Sequence, residues 1–367
     1  MKRIIALLLV FVLLLAGCGK EEPVAEVEPT TVPPTTEAPT EPPTTEATEP
    51  PTEAPTEPPV IIRHPLTGEV LDEPFAGHVT TASVNNIKGC LPQYGVSEAD
   101  MIYEIETESD ITRLLAVFTD FSEVKKLGPI RSARTFFNAI SYSYQAPIVH
   151  CGASETARAG YMDNHVTKIE NWQHIDANVM AKYFYRDQDR LNRGIAYEHT
   201  LFTTGENVLA ALESKEYVKV NEEGLDFGLL FAETPAIEGE TANKVTVTFR
   251  GSKTTSFTYD AATGLYAASQ YGQDHIEGST KEPLTYRNVI ALYATHTKPN
   301  NSSRSFYELL GSGSGHLAVD GKIVPIIWNH ETYEDPFTYT LEDGTPLELG
   351  VGRTYIAVTG VSETKYE

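Results

Sequence analysis

Positive charge, cysteine and long apolar runs are all scarce in this chain of 367 residues. Lysine and arginine together number 28 against 51 aspartates and glutamates, and so acidic a chain argues against nucleic acid as a partner. The three cysteines are too few for a disulfide scaffold, so the fold must depend on a hydrophobic core.

Recognisable catalytic and metal-binding signatures are missing as well. The chain has no His-Glu-x-x-His and no Cys-x-x-Cys spacing, and Thr156 stands where a Gly-x-Ser-x-Gly motif needs its second glycine. We therefore expect no cofactor and no metal ion, and a binding role is favoured over an enzymatic one.

The first eighteen residues carry the clearest signal. Two basic residues precede an apolar run from Ile4 to Ala16, which is shorter than the ~20 residues that a membrane-spanning helix needs. This pattern indicates a secretory signal peptide, with a permanent transmembrane helix as the weaker alternative. The ending Leu-Ala-Gly-Cys resembles a bacterial lipobox, so residues 1–18 predict a lipoprotein signal peptide. Acyl chains such as palmitate on Cys18 would then tether the protein to the extracytoplasmic face of the cell membrane.

The next segment, residues 19–59, has a different composition. It holds twelve of the 23 prolines and ten glutamates, and it has no aromatic residue. Such a segment has too little apolar surface to offset the entropy of ordering, so we predict a disordered stalk. Proline and like charges extend it, to a reach on the order of 120 Å.

The remaining residues are enough for two domains, which we place at 60–225 and 230–367. The first mixes strand and helix patterns, with helices expected over 133–144, 172–185 and 206–213. The second consists of short strands with glycine-containing turns, of which Asp320-Gly321 is the strongest hairpin signal. We predict an α+β fold, with a layered mixed α/β amino-terminal domain and a β-rich carboxy-terminal domain.

Acidic residues alternate along one predicted strand of the first domain. In a strand, alternate residues share a face, so Glu104, Glu106 and Glu108 should point the same way. Arg113 follows shortly after. Two carboxylates of this kind would serve as an acid–base pair if their environments split their pKa values.

Basic residues flank the start of the predicted helix that follows. Arg131 and Arg134 lie near its amino terminus, where backbone N–H groups favour an anion, and Ser132 is placed to cap it. The residues of both stretches allow three interpretations. They form a structural ion-pair network, they bind an anion or carboxylate ligand, or they act as catalytic acids and bases.

His150 ends a short predicted strand, and a helix is expected to begin soon after it. Side chains at such strand ends commonly carry function in open α/β layers. Adjacent His150 and Cys151 should point to opposite faces, which makes them a poor base–nucleophile pair. Cys151 and Cys90 are more consistent with separate apolar side chains than with a disulfide.

Four motifs of the first half resemble the YerB-like lipoprotein family: Pro92-Gln93-x-Gly95-x-Ser97-x-Ala99-Asp100-x-x-Tyr103-Glu104, Glu108-x-x-Ile111-Thr112-Arg113, Gly128-Pro129-x-Arg131-Ser132-Ala133-Arg134 and His150-x-Gly152-x-Ser154. The second half is similar to that family's carboxy-terminal domain in Asp320-Gly321-Lys322 and Trp328. Departures occur at Glu198-His199-Thr200 and at His275-Ile276-Glu277. The resemblance implies an extracytoplasmic lipoprotein with two domains and implies no particular reaction.

These observations predict a membrane-anchored, non-catalytic binding or scaffold protein of the cell envelope. Glu104, Glu108, Arg113, Arg131, Ser132 and Arg134 are the candidate ligand-binding residues, in a cleft that recognises wall material or an envelope protein. The alternative is an envelope hydrolase of glycan or peptide that uses Glu104 and Glu108 as an acid–base pair with His150 nearby.

Overall fold

The structure is a computed structural model, which describes residues 61–77, 79–108, 111–164, 166–215, 217, 227–249, 253–298, 304–360 and 364–367. The predicted signal peptide, Cys18 and the predicted stalk lie outside these residues. Of the helices described, none has the length and apolar character to cross a membrane.

The first half of the described chain contains short strands and helices. Its strands are β1 (Thr80–Asn85), β2 (Met101–Glu108), β3 (Ile111–Phe118), β4 (Ile148–His150), β5 (His174–Asp176), β6 (Tyr185–Arg186) and β7 (Leu201–Phe202). The α-helices are α1 (Thr135–Ser143), α2 (Glu155–Arg158), α3 (Gln188–Asn192) and α4 (Gly205–Ser214). Single 3₁₀ turns cover Lys88–Cys90, Ala181–Tyr183 and Tyr197–His199.

The second half is made of strands. They are β8 (Leu230–Ala232), β9 (Glu240–Thr241), β10 (Lys244–Thr248), β11 (Thr254–Asp260), β12 (Leu265–Gln270), β13 (Gln273–Asp274), β14 (Thr285–Tyr286), β15 (Asn288–Tyr293), β16 (His296–Thr297), β17 (Phe306–Tyr307), β18 (Gly311–Val319), β19 (Lys322–His330), β20 (Thr338–Thr340), β21 (Glu348–Gly350), β22 (Thr354–Thr359) and β23 (Thr364–Tyr366).

One large sheet takes strands from both halves of the chain. Its order is β20-β19-β18-β15-β22-β2-β3-β1-β4-β5, with β9 beside β19. The two halves meet where β22 pairs in parallel with β2, so that Tyr103 lies opposite Ile356. The described residues from 61 onward therefore form one unit. The domain boundary expected near residues 225–230 stays a prediction.

A hydrophobic core lies on each face of the large sheet. On one face, Ile102 and Tyr355 pack with Phe257 of the smaller sheet, whose order is β13-β12-β11-β10-β23 with β14 beside β12. On the other face, Tyr103 packs with Phe136 of α1. Burial on both faces is reflected in the largely apolar sequences of β3 and β15.

The chain is strand-rich with few helices, which confirms the fold class at that level. The layered arrangement expected of the amino-terminal half stays a prediction. The Asp320-Gly321 hairpin is confirmed: Val319 pairs with Lys322, and both turn residues have positive φ, as a type I′ turn requires.

Two local predictions are wrong. The helix expected over 172–185 is instead strand β5, a 3₁₀ turn and strand β6, because β5 pairs with β4 at the edge of the large sheet and β6 pairs with β7. Ser132 does not cap the following helix, since α1 begins one residue after Arg134 and has no side-chain cap. Cys90 and Cys151 are both free.

Candidate functional site

Strand β2 divides the predicted acidic cluster between the two faces of the large sheet. Glu104 points toward the smaller sheet, where it contacts Thr255. The pairing of β2 with β3 shifts register between Glu106 and Glu108, which marks a β-bulge. Glu108 is thereby turned to the other face, where it contacts Arg134 beside α1. The expectation that the three glutamates share one face is wrong for Glu108, because an inserted residue after Glu106 breaks the alternation.

Glu104 is fully enclosed between the two sheets. Its carboxylate accepts hydrogen bonds of 2.6 Å from each of the hydroxyls of Thr112, Thr255 and Tyr355, and the Lys253 ammonium lies 3.0 Å away. Burial works to raise the pKa of Glu104, but Lys253 and the hydroxyls outweigh it and hold that pKa below its usual value. Both oxygens have hydrogen-bond partners within the protein, so we interpret this carboxylate as part of a structural network.

Glu108 forms a compact ion-pair cluster with two arginines. One oxygen accepts from the Arg113 Nη2 at 2.5 Å, and both oxygens accept from the Arg134 Nη2, at 2.6 and 2.7 Å. Burial first, and then repulsion from Arg134, lowers the pKa of Arg113 to about 9. Although burial opposes it, the two arginines hold the pKa of Glu108 below its usual value. The three charges pair with one another, although the enclosed Nε atom of Arg113 has no hydrogen-bond partner among the described residues.

The other two predicted cleft residues, Ser132 and Arg131, make different contacts. Ser132 contributes its main-chain carbonyl, which accepts from Arg113 at 2.8 Å, rather than its hydroxyl. Arg131 is half-buried and donates to the carbonyl of Glu198 at 3.1 Å. The structure therefore brings Glu108, Arg113 and Arg134 together with the Ser132 backbone, and it separates them from Glu104.

A pocket of about 600 Å³ lies where the parallel strands β4 and β5 end side by side. His150 and Asp176, paired in register, stand at the carboxyl ends of these strands. In open α/β sheets, ligands bind at this end of the strands. The pocket is lined by His150, Arg158, Trp172, His174, Asp176, Asn178, Val179, Met180, Lys215 and Tyr217.

Two histidines in this pocket form a directed chain of hydrogen bonds. The Nδ1 atom of His150 lies 2.7 Å from the carbonyl of Gly152, which can only accept, so this nitrogen carries the proton. In the neutral ring, the Nε2 atom of His150 is then an acceptor, and it lies 2.8 Å from the Nδ1 atom of His174. His174 therefore donates from Nδ1 and keeps a lone pair on Nε2.

Both rings are neutral near pH 7. Burial lowers the pKa of His150 despite the neighbouring Asp176. Burial and the adjacent His150 lower the pKa of His174 to about 4. The hydrogen-bond directions derived from the Gly152 carbonyl therefore hold at physiological pH.

The chain of hydrogen bonds ends on an unsatisfied atom. Within the described part of the protein, the enclosed Nε2 atom of His174 has no hydrogen-bond partner, and neither does the enclosed Nε1–H of Trp172. A buried polar atom left without a partner costs about 1–3 kcal/mol. Other described residues also have such atoms, among them Arg113 and His275, so the His174 and Trp172 atoms are set apart by belonging to residues that line a pocket.

Cys151 is no nucleophile in this arrangement. Burial raises the pKa of its thiol, and both ring nitrogens of His150 are engaged by other groups. The described residues contain no group of three or more histidine, cysteine or carboxylate side chains placed to hold a metal ion.

Sequence reasoning found His150 but missed its partners His174 and Trp172. The helix expected over 172–185 concealed them, and His174 stood in no recognisable motif. The signal was the spacing of Trp172, His174 and Asp176, because alternate residues of a strand share a face.

Comparison with known proteins assigns the chain to a family. Residues 66–218 match the model for the DUF3048 amino-terminal domain, and residues 245–356 match the DUF3048 carboxy-terminal domain, both described as protein of unknown function. The chain belongs to the DUF3048 family. The YerB-like resemblance seen in its motifs is thereby confirmed.

One curated relative and one solved structure support the DUF3048 assignment. The chain is 25% identical over 301 residues to "Putative lipoprotein YerB" of Bacillus subtilis (strain 168), covering 81% of this chain and 86% of that protein. The crystal structure of YerB from Bacillus subtilis matches with a TM-score of 0.69 and 23% identity, covering 83% of this chain and 99% of that one. The structural likeness shows a shared DUF3048 fold.

Proposed function

We propose that this protein is a lipid-anchored, extracytoplasmic binding protein of the cell envelope. Three observations support the location: the basic and apolar start of the chain, the Leu-Ala-Gly-Cys sequence at Cys18, and the lipoprotein name of the Bacillus relative. The proline-rich segment 19–59 would hold the folded region away from the bilayer.

The proposed binding site is the pocket at the ends of β4 and β5. The observation that carries this choice is the unsatisfied Nε2 lone pair of His174, a pocket-lining residue whose tautomer is set by His150 and the Gly152 carbonyl. A pocket of about 600 Å³, with apolar walls and a few directed polar groups, has the size and character of a small-molecule site. Its ligand would be a unit of wall material or a group on an envelope protein.

The Glu/Arg-lined cleft is a weaker candidate for this role. The Glu108 carboxylate is already shared between Arg113 and Arg134, so an incoming anion would have to displace it. The hydrolase alternative needs Glu104 and Glu108 to converge, but they point to opposite faces of the sheet. Binding through the histidine pocket fits the geometry better.

Retention on purified cell-wall fragments tests the choice of site in the full-length mature chain. His174→Phe removes the lone pair and keeps a ring in the pocket wall, so we expect at least a tenfold loss of retention. Arg131→Ala alters the half-buried member of the predicted cleft and should retain wild-type binding. The opposite pattern, with Arg131→Ala defective and His174→Phe normal, would overturn the proposal in favour of the cleft.

Palmitate labelling tests the location. Wild-type protein should be labelled and recovered with membranes, whereas Cys18→Ser should be unlabelled and released. An unlabelled wild-type product in the cytosol would contradict the lipid anchor.

A further inference from the structure

We infer that the histidine pocket takes an anion that also carries hydroxyl groups, such as a phosphorylated or carboxylated sugar or polyol unit. This inference rests on the proposed function, because it names the class of ligand for that same pocket. Two independent features carry it: the balance of charge around the pocket and the donor or acceptor character of the unpaired polar atoms in its lining residues.

The charge balance favours an anion. Arg158 and Lys215 line the pocket, and within the described residues neither has an acidic partner at ion-pair distance. The one carboxylate of the lining, on Asp176, accepts from the backbone amides of Gly152 at 2.9 Å and Asn178 at 3.0 Å. Both histidines are neutral, so the lining has an excess of positive charge.

This excess continues into an adjoining pocket of about 470 Å³. The second pocket shares Lys215 with the first and adds Lys182. The chain as a whole has a formal charge of −23, so a local excess of cations stands against the general trend. A positively charged pocket in an otherwise acidic protein attracts anions in preference to other ligands.

A neighbouring pocket on the other side of Trp172 provides the contrast. It has a volume of about 390 Å³, and its charged lining residues are Glu170 and Glu334. An anion entering this region would therefore be directed toward Arg158 and Lys215 and away from the two glutamates.

The unsatisfied atoms require hydroxyl groups on the ligand. The Nε2 atom of His174 can only accept, so the ligand must bring a donor, whereas the Nε1–H of Trp172 can only donate, so the ligand must bring an acceptor. A hydroxyl group does both. Val179, Met180 and the Tyr217 ring add the apolar surface against which the C–H groups of a sugar would pack.

Both atoms lie inside the pocket wall, so we expect binding to displace the Trp172 ring slightly. The chain has two tryptophans, and the other, Trp328, is buried where its indole donates to the carbonyl of Tyr293 at 3.2 Å. Trp172 lines both this pocket and its acidic neighbour, so a ligand-dependent change in fluorescence that both Trp172→Phe and His174→Phe abolish would report on the histidine pocket.

The test titrates the full-length mature chain, in detergent, with hydroxylated anions and their neutral or non-hydroxylated counterparts. Glucose 1-phosphate, glycerol 3-phosphate and glucuronate are compared with glucose, glycerol and sulfate. We expect at least one hydroxylated anion to bind with a Kd at least tenfold lower than its neutral counterpart and than sulfate. Replacing Arg158 and Lys215 together with alanine should raise that Kd at least tenfold. Replacing the exposed Lys125 and Arg193 together should leave it unchanged.

The failures are distinguishable. Equal affinity for glucose and glucose 1-phosphate, together with no effect of the Arg158 and Lys215 replacements, would overturn the anion inference and leave the binding site in place. If no probe binds while His174→Phe still abolishes retention on wall fragments, the ligand class is wrong and the proposed site stands. If retention is also independent of His174, both proposals fall.

Discussion

Two buried polar regions of this protein have opposite characters. Around Glu104, every oxygen of the carboxylate is paired with a hydroxyl, an amide or the Lys253 ammonium. Around His174, a chain of hydrogen bonds ends on an atom without a partner in the described residues, beside a pocket. Charge and burial are common to both regions, so neither property separates a structural network from a candidate binding site. The regions differ in that the Glu104 carboxylate is fully paired, whereas the unpaired Nε2 atom of His174 belongs to a residue that lines a pocket.

The difference has a physical origin. A buried charge is tolerated only when its partners replace the water it has lost, and Glu104 meets that condition through Lys253 and Thr255, which the second half of the chain supplies from the smaller sheet. A buried acceptor without a partner in the protein is tolerated when a bound molecule can donate a hydrogen bond to it. The first region joins the two sheets through the contacts of Glu104 with Thr255 and Lys253, and we propose that a ligand completes the second.

The largest effect should come from breaking the Glu104–Lys253 pair. Lys253→Met leaves a fully buried carboxylate without its counter-charge, which typically costs about 3–5 kcal/mol of the free energy of unfolding. Chemical denaturation measures the loss. In a double-mutant cycle, Glu104→Gln with Lys253→Met should lose less than the sum of the single changes, and simple additivity would contradict the pairing.

Acid should destabilise the protein through its buried histidines. Burial and the nearby Lys253 lower the pKa of His275 to about 3, so His275 stabilises the fold fully above pH 6.5 and progressively less as the pH falls from 6.5 toward 3. His275→Gln should flatten the dependence of stability on pH between 6 and 4 by up to about 1.4 kcal/mol per pH unit. Denaturation curves at several pH values measure the slope, and an unchanged slope would show that His275 is not held neutral.

A smaller loss is expected at the Glu108 ion-pair cluster, because Glu108 keeps 20% of its side chain exposed. Glu108→Gln leaves Arg113 and Arg134 facing a neutral amide and should cost about 1–3 kcal/mol. The same variant should bind wall fragments like wild type. A folded Glu108→Gln protein with no retention would move the binding site to this cluster.

The smallest change in stability should occur at His174 itself. His174→Phe loses the hydrogen bond to His150 and also removes the unsatisfied Nε2 atom, so the two effects nearly cancel, to within about 1 kcal/mol. Binding should nevertheless be lost. A loss of stability comparable to that of Lys253→Met would show that His174 is structural.

The sequence predicted some of these elements well and for clear reasons. Strands β2 and β3, helix α1 and the Asp320-Gly321 hairpin follow from apolar runs, helical spacing and turn chemistry, which are local properties. Of the three arginines predicted for the cluster, Arg113 and Arg134 contact Glu108, whereas Arg131 donates to the Glu198 carbonyl.

The other features of the fold and the site depended on contacts between residues that lie far apart in the sequence. The β-bulge after Glu106 reversed the face of Glu108, and Lys253 reached Glu104 from the other half of the chain. Strand β5 is only three residues long and forms by pairing with β4, so its local pattern favoured a helix. The pairing that places His174 beside His150 cannot be read from either segment alone.

The most direct test of the account is the protonation of the His150 and His174 rings, measured by ¹⁵N-edited NMR on histidine-labelled protein. The account predicts that at pH 7 both rings are neutral and protonated on Nδ1, and that the Nε2 resonance of His174 shifts when a bound hydroxyl completes it. A His174 ring that is charged at pH 7, or protonated on Nε2, would contradict the central claim that this atom is an acceptor awaiting a ligand.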